Sequence, residues 1–175
     1  MGLHRDGKYY GLSPIETHVR RLIWHQICFL DIRTCEAQGP QPSIHKDDYD
    51  TEIPLNVDDT DLHPYTTEQP VSSTSWTEMT FSLIRFECND LHRTMWRDRL
   101  RLEKKKTSLT TVLGKIETFR RRMEETYGSM CDERIPLQKA GKIIMSLMIN
   151  KAFIMVLHRY HSSVSSIIPD RLLKM

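Results

Sequence analysis

Residues 11–62 constrain the fold of this chain more than any other stretch, because they join a long, doubly punctuated helix to an acidic strap that cannot be helical. Ser13-Pro14-Ile15-Glu16 has the form of a capping box, in which the Ser13 hydroxyl accepts from the Glu16 backbone and the Glu16 carboxylate reaches back. Pro14 falls at the first helical position, where a missing N–H costs nothing. Ile15, Val19, Leu22, Ile23, Ile27 and Leu30 recur at three- and four-residue spacing and predict one buried apolar face. Gly39-Pro40 supplies the stop, with Gly39 able to take the left-handed conformation past the end. A helix of about 25 residues would be roughly 37 Å long. The pair Arg20-Arg21 reads as solvated charge, or more sharply as an ionic anchor to a neighbouring element.

From about residue 40 to 64 the chain changes character. Pro40, Pro42, Pro54 and Pro64 each exclude a helix interior and bias the preceding residue to extended geometry. Asp47, Asp48, Asp50, Glu52, Asp58, Asp59 and Asp61 stand against Lys46 alone, so the strap is strongly acidic. It is not an EF-hand loop: counted from Asp48, Ile53 stands where a glycine is needed and Asp59 where the bidentate glutamate is needed. These carboxylates are expected to cap turns and helix starts.

Three further helices are expected. Residues 76–101 carry Phe81, Ile84, Leu91, Met95 and Trp96 after a Ser/Thr-rich loop over 66–75. Leu109, Val112, Leu113, Ile116, Phe119, Met123 and Tyr127 give the most regular apolar repeat, ending at Gly128. Pro136 opens a last helix with Ala140, Ile144, Leu147, Met148, Met155 and Leu157 expected to be largely buried. Its most apolar stretch, Ile143 to Leu157, contains Asn150 and Lys151 and reads as a core helix rather than a membrane span. No alternating strand pattern occurs. The fold class is therefore all-α: an irregular multi-helix bundle with one long extended acidic and proline-rich strap.

The blocks HRDG, LSP, RRLIW, LDIR, PSI and YDTEIPLNVDDTDL, in that order, resemble the regulatory "middle homology" domain of fungal binuclear-zinc-cluster transcription factors, of the xylanolytic-activator type. The later ETYGSMCDERIPLQKAGKIIM resembles a segment further along the same domain. After Trp24 the chain departs from the pattern, with His25-Gln26 where another aromatic often stands, a position that reads as packing. The resemblance implies a nuclear regulator of transcription by RNA polymerase II, acting through protein partners or a small-molecule effector, with no catalytic residue and no membrane role. It carries motif positions onto Ser13, Pro14, Glu16, Arg20, Arg21, Trp24, Asp31, Arg33, Asp50, Pro54, Asp58 and Asp59 as structural residues.

Cys28, Cys35, Cys88 and Cys131 are too few and too widely spaced for a six-cysteine zinc cluster. They read as free thiols. No cofactor is expected here; zinc and DNA contact are expected only from an N-terminal module outside the chain. The ends are read as cuts: residues 1–7 as the close of an earlier helix, and Ile167 to Leu173 as the start of a further one, with exposed apolar faces expected at both. On this reading residues 1–175 are one partial regulatory domain. The alternative is a stand-alone helical module that modulates another transcription factor without touching DNA. The sequence leaves the oligomeric state open.

Three local patterns carry less. His4-Arg5-Asp6 copies the start of a kinase catalytic loop without its companions. His158 and His161 have helical spacing for a shared metal but no third ligand, and read as a satisfied or half-exposed pair. Arg97, Arg99, Arg101, Lys104, Lys105 and Lys106 form a basic patch that reads as a solvated helix end, with nuclear import or phosphate contact as sharper readings. Pairing of this patch with the acidic strap is expected from charge alone. The overall charge of +2 gives no case for nucleic-acid binding by the whole chain.

Overall fold

The computed structural model describes residues 2–39, 41–63, 65 and 68–164, with side chains to 158. Among the described residues four α-helices make the architecture: α1 (Pro14–Gln38), α2 (Thr80–Glu103), α3 (Leu109–Thr126) and α4 (Pro136–Val164). Among the described residues there is no strand. Helix α2 is central, packing most extensively on α4 and also against α1 and α3. Between α1 and α2 the described chain is non-α, with single 3-10 turns at Lys46–Asp48 and Asp59–Asp61.

Each boundary has a local cause. The Ser13 capping box forms, with Ser13 Oγ accepting from the Glu16 backbone at 3.3 Å and Glu16 Oε2 accepting from the Ser13 backbone at 3.1 Å. Gly39 ends α1, in extended geometry (φ −114°, ψ 155°) rather than in the left-handed conformation open to it, and its N–H donates to the Cys35 carbonyl at 3.0 Å. Pro40 lies outside the described residues. Helix α2 starts at Thr80 rather than at Trp76, because the Thr80 hydroxyl receives the Thr77 backbone N–H (2.8 Å) and closes the preceding turn. Ser108 caps α3 by accepting from Thr111 at 3.1 Å. Gly128 does not stop the chain outright but opens a further 3-10 turn, Gly128–Met130.

The core lies between α2, α3 and α4. Val112, Ile116 and Met123 of α3 are wholly buried, as its spacing predicts, together with Ile84, Cys88, Met145 and Ala152. Gly141 is required where α4 crosses the loop before α2, since a Cβ there would stand 2.7 Å from the Trp76 ring. Gly141→Ala should lower stability by about 1–2 kcal/mol in chemical denaturation despite alanine's better helix propensity. An unchanged or raised midpoint would show that Trp76 moves aside freely.

Two expected faces are wrong. Val19, Ile23, Ile27 and Leu30 of α1 are 38–53 % exposed, and the buried side of the helix is instead Thr17, His18, Arg21, His25, Cys28, Ile32 and Cys35. On α4, Leu147 (66 %) and Leu157 (44 %) face outward, while Met148, Ile149, Ala152 and Val156 are buried. Residues 136–158 are also longer as an apolar helix than the predicted core stretch; by length and composition they could cross a membrane, and only a third of their most apolar part is buried. The expected start of a helix at Ile167 to Leu173 lies outside the described residues. At the other end, residues 7–10 form a 3-10 turn opened by Asp6 and closed by Gly11 at φ 65°, not the close of a helix.

Candidate functional site: the clamps that hold the strap

The buried polar side of α1 has a purpose that becomes visible only with the strap in place. Arg21, 2 % exposed, lies against Asp6, which is wholly buried. Its Nε donates to Asp6 Oδ2 at 2.8 Å and its Nη2 to Asp6 Oδ1 at 3.0 Å, a planar two-point fit. The same Nη2 donates to Glu52 Oε2 of the strap at 2.7 Å. Asp6 also accepts from the backbone N–H of Lys8 (3.1 Å) and Glu52 (2.9 Å), so its remaining lone pairs are used. Asp50 completes the knot, accepting from the Asp6 backbone at 2.8 Å and from Arg5 Nη1 at 2.8 Å. Lys8 pairs with Glu52, and the Thr51 hydroxyl donates to the Leu3 carbonyl at 2.7 Å. Strap residues 50–52 are thereby laid along residues 3–8 and onto α1.

A second clamp ties α1 to α2 across the strap. Arg93 of α2, 6 % exposed, donates from Nη1 to Asp31 Oδ2 at 2.8 Å and to the Ile44 carbonyl, and from Nη2 to the Cys28 carbonyl at 2.8 Å. Asp31 accepts in turn from the strap backbone at Ser43 (2.9 Å) and Ile44 (3.2 Å). Asn89 adds a bond to the Cys28 carbonyl at 3.1 Å, and Lys46 reaches Asp90 at 3.1 Å. A third clamp is neutral. Buried Asn56 donates to the carbonyls of Ser73 (2.9 Å) and Ser75 (3.0 Å) and accepts from the hydroxyls of Thr77 (2.7 Å) and Thr80 (2.8 Å). It joins the strap to the start of α2.

The motif residues expected to be structural fall as follows. Arg21, Asp31 and Asp50 are clamp members, and Arg21 is an anchor rather than solvated charge. Arg20 donates to the Gly2 carbonyl at 3.0 Å. Trp24 meets the edge of Tyr49 at 5.3 Å between ring centroids. His25 packs on Phe86 at 5.5 Å, with Nε2 3.1 Å from the Glu52 carbonyl. Arg33 is exposed and pairs along its own helix with Glu36 at 2.9 Å. Pro54 is buried, Asp58 accepts from the Glu78 backbone at 2.9 Å, and exposed Asp59 begins a 3-10 turn. Sequence reasoning did not single out as site residues Asp6, seen within the HRDG block and a kinase-like triplet, Glu52, seen as one of the strap acids, or Asn56 and Arg93. Asn56 stands in a quoted block, but its partners at 73–80 are invisible without the fold.

The strap carboxylates described here go to Arg5, Lys8 and Arg21, not to the 97–106 patch as charge alone suggested. In that patch Arg97, Arg101, Lys104, Lys105 and Lys106 are exposed, Arg101 lies 3.6 Å from Asp98 of its own helix, and the Arg99 guanidinium stacks over Trp96 at 4.0 Å. Lys105 takes φ 54° as the chain turns out of α2. Basic side chains at this helix end favour the macrodipole. The cysteines are free, and burial pushes the Cys28 thiol up to about 11 and Cys88 up to about 12. Among the described residues no three His, Cys, Asp or Glu side chains gather as a metal-binding set. His158 is exposed, and the His161 side chain lies outside the described residues.

Electrostatics make the clamps pH-sensitive. Burial opposes the charge of Asp6, but the Arg21 guanidinium and the backbone N–H groups of Glu52 and Lys8 outweigh it and hold the carboxyl below its usual range. Burial likewise opposes Asp31, which Arg93 and the strap N–H groups bring below its usual range. His18, His25 and His92 are pushed below their ordinary 6.5, chiefly by burial. Unfolding therefore takes up protons as each histidine is freed. Their stabilisation is complete above about pH 6.5 and falls with pH below it, by up to about 1.4 kcal/mol per pH unit for each histidine. The two aspartates add a further loss as pH falls below about 4. Thermal melts should be flat between about pH 7 and 8, decline below about pH 6.5 and decline again above about pH 9 as unfolding lets Cys28 and Cys88 ionise, and His25→Gln with His92→Gln should flatten the acid decline. A melting temperature constant from pH 7 to 5 would contradict it.

Among the described residues the scaffold is all-helical, and its organised polar groups clamp the strap to α1 and α2. The sequence model of the fungal specific transcription factor domain matches residues 1–131, and the chain belongs to that family. It is 31 % identical over 163 residues to a C6 finger domain transcription factor of Aspergillus fumigatus, covering 79 % of this chain and 21 % of that protein. To the aurofusarin cluster transcription factor of Gibberella zeae it is 33 % identical over 144 residues, 78 % of this chain and 21 % of that protein. A pyriculol/pyriculariol biosynthesis cluster transcription factor of Pyricularia oryzae is 44 % identical over 84 residues, 48 % of this chain and 11 % of that protein. The chain thus spans about a fifth of the length of the first and second of these relatives. No solved structure matches it. It is a transcription regulatory domain.

Proposed function

We propose that this domain regulates transcription by RNA polymerase II in the nucleus, without catalysis, by changing conformation or partner contacts. The observation that carries this reading is the clamp set itself: Arg21 and Arg93 hold one strap against two helices, so displacing the strap would change what both present. An effector acts on such an arrangement only by binding one strap position more tightly than another. A cleft lined by Pro42, Ile44, His45, Trp96 and Arg97 lies between strap and α2, where a small molecule or peptide would bear on both. Specific DNA contact and zinc belong, on this reading, to a module outside these residues.

The test is to fuse residues 1–175 to a heterologous DNA-binding domain in a fungal host with a reporter gene. Nuclear accumulation and a changed reporter output, altered again by Arg93→Ala, are expected. A fusion that leaves the reporter at the level of the DNA-binding domain alone would overturn the reading.

A further inference from the structure

The cleft between the strap and α2 has a volume of about 80 Å³, and its walls carry two kinds of chemistry. Pro42 and Ile44 of the strap line it with Trp96 and Leu100 of α2, which makes it apolar. His45, Arg93 and Arg97 line it too, and no acidic side chain does. Neither arginine is saturated. Arg93, whose side chain is 7 % exposed, gives Nη1 to Asp31 and the Ile44 carbonyl and Nη2 to the Cys28 carbonyl, while its Nε–H has no acceptor among the described residues. Arg97, one turn further along α2, is exposed and makes no ion pair among the described residues. Open guanidinium donors favour an anion, and apolar walls favour a ligand with no other polar group.

We propose, resting on the regulatory role given above, that the effector held in this cleft is a short-chain aliphatic monocarboxylate. Its carboxylate lies at the mouth, on Arg97 and the Arg93 Nε–H, and its tail lies on Ile44, Trp96 and Leu100. Asp31 already balances the charge of Arg93, so the net attraction comes from Arg97. Size limits the tail. A dry cavity of about 150 Å³ takes one benzene ring, so this cleft encloses roughly three to five non-hydrogen atoms. A branched tail of about four carbons, as in isovalerate, matches that size.

The surroundings limit the charge. A second cavity of about 120 Å³ adjoins, sharing His45, Arg93 and Arg97 and adding Lys46, Asp47 and Asp90. Lys46 pairs with Asp90 at 3.1 Å, whereas Asp47 is exposed. Asp47 would repel the second charge of a dicarboxylate there, and Arg97 would repel an amine. One negative charge therefore fits best. The tail needs the strap wall and the α2 wall together, and both are present only while Arg93 holds Ile44 and Asp31. The ligand thus binds the clamped strap more tightly than a displaced one and raises the population of the clamped form.

Isovalerate titrated into residues 1–175 at constant ionic strength should shift the Trp96 indole N–H resonance, with a Kd of about 1 mM. Loss of that resonance in Trp96→Phe assigns it. At about twenty times the Kd the melting temperature should rise by about 4–6 °C over a sodium chloride control. Isovaleramide, which has the shape without the charge, and isoamylamine should each bind at least ~10-fold more weakly. Arg97→Gln should lose isovalerate at least ~10-fold while melting as wild type without it. No shift by about 20 mM isovalerate, equal binding of the amide, or unchanged binding by Arg97→Gln would each overturn the assignment. The reporter fusion separates this site from the regulatory role. Changed reporter output without isovalerate binding removes the ligand class and leaves the role standing. Isovalerate binding without reporter output keeps the site but overturns its ligand as an effector.

Discussion

Arg21→Ala should destabilise the fold by about 3–5 kcal/mol, because it leaves the wholly buried Asp6 carboxylate without its counter-charge. The effect is expected to come from Asp6 and not from Glu52, although Arg21 touches both. The Glu52 side chain is 49 % exposed, so water replaces its partner at little cost, and Glu52→Gln should change stability by under about 1 kcal/mol. Arg21→Lys tests geometry separately from charge. It keeps the positive charge but cannot reproduce the two-point contact with Asp6, and should retain only part of the stabilisation. Adding Asp6→Asn to Arg21→Ala should recover part of the loss, since the unpaired charge disappears while the amide oxygen still accepts from one of the two backbone N–H groups, that of Lys8 or of Glu52. Urea denaturation of the set measures all four. If Arg21→Ala lies within about 1 kcal/mol of wild type, Asp6 is hydrated or protonated and the clamp is not ionic.

The second large effect is expected at a neutral residue. Asn56→Ala removes a buried amide that serves two carbonyls and two hydroxyls at once, and should cost about 2–4 kcal/mol. The Thr77 and Thr80 hydroxyls have each other within 3.5 Å and can partly compensate. The Ser73 and Ser75 carbonyls have no such substitute among the bonds described for Asn56. Asn56→Asp is the sharper variant: it keeps the acceptor for the threonines but sets carboxylate oxygen against carbonyl oxygen on the other side. It should be at least as destabilising as alanine at neutral pH and should recover as the solution is acidified. Faster amide exchange over residues 73–80, with α3 unaffected, would locate the damage at the strap–α2 junction. Uniform loss of protection across α2, α3 and α4 would mean that this junction is no separate unit.

These two positions mark what could be read before the fold was known. The Ser13 cap, the helix it opens, the α3 seam and the Pro136 start rest on neighbours within a few residues, so the sequence specifies them locally. The family resemblance was legible for a similar reason, since ordered blocks survive in the primary structure. The direction in which α1 faces was not. Its aliphatic stripe and its polar stripe have the same helical period, and local patterning favours burying the aliphatic one. Asp6, the strap backbone and Arg93 reverse that choice, because Arg21 and Asp31 find charged or hydrogen-bonded partners inside that no solvent-facing position would offer. The outward half of α4 was misjudged likewise: its composition is apolar all round, and composition cannot say which half meets α2. Thus the sequence alone determined where α1, α3 and α4 begin, that the strap is not α-helical, and the family, whereas the start of α2 depended on the Thr77–Thr80 turn. Only the tertiary structure decided which faces are buried and which charges pair, since those depend on contacts between residues from 15 to 115 positions apart in the chain.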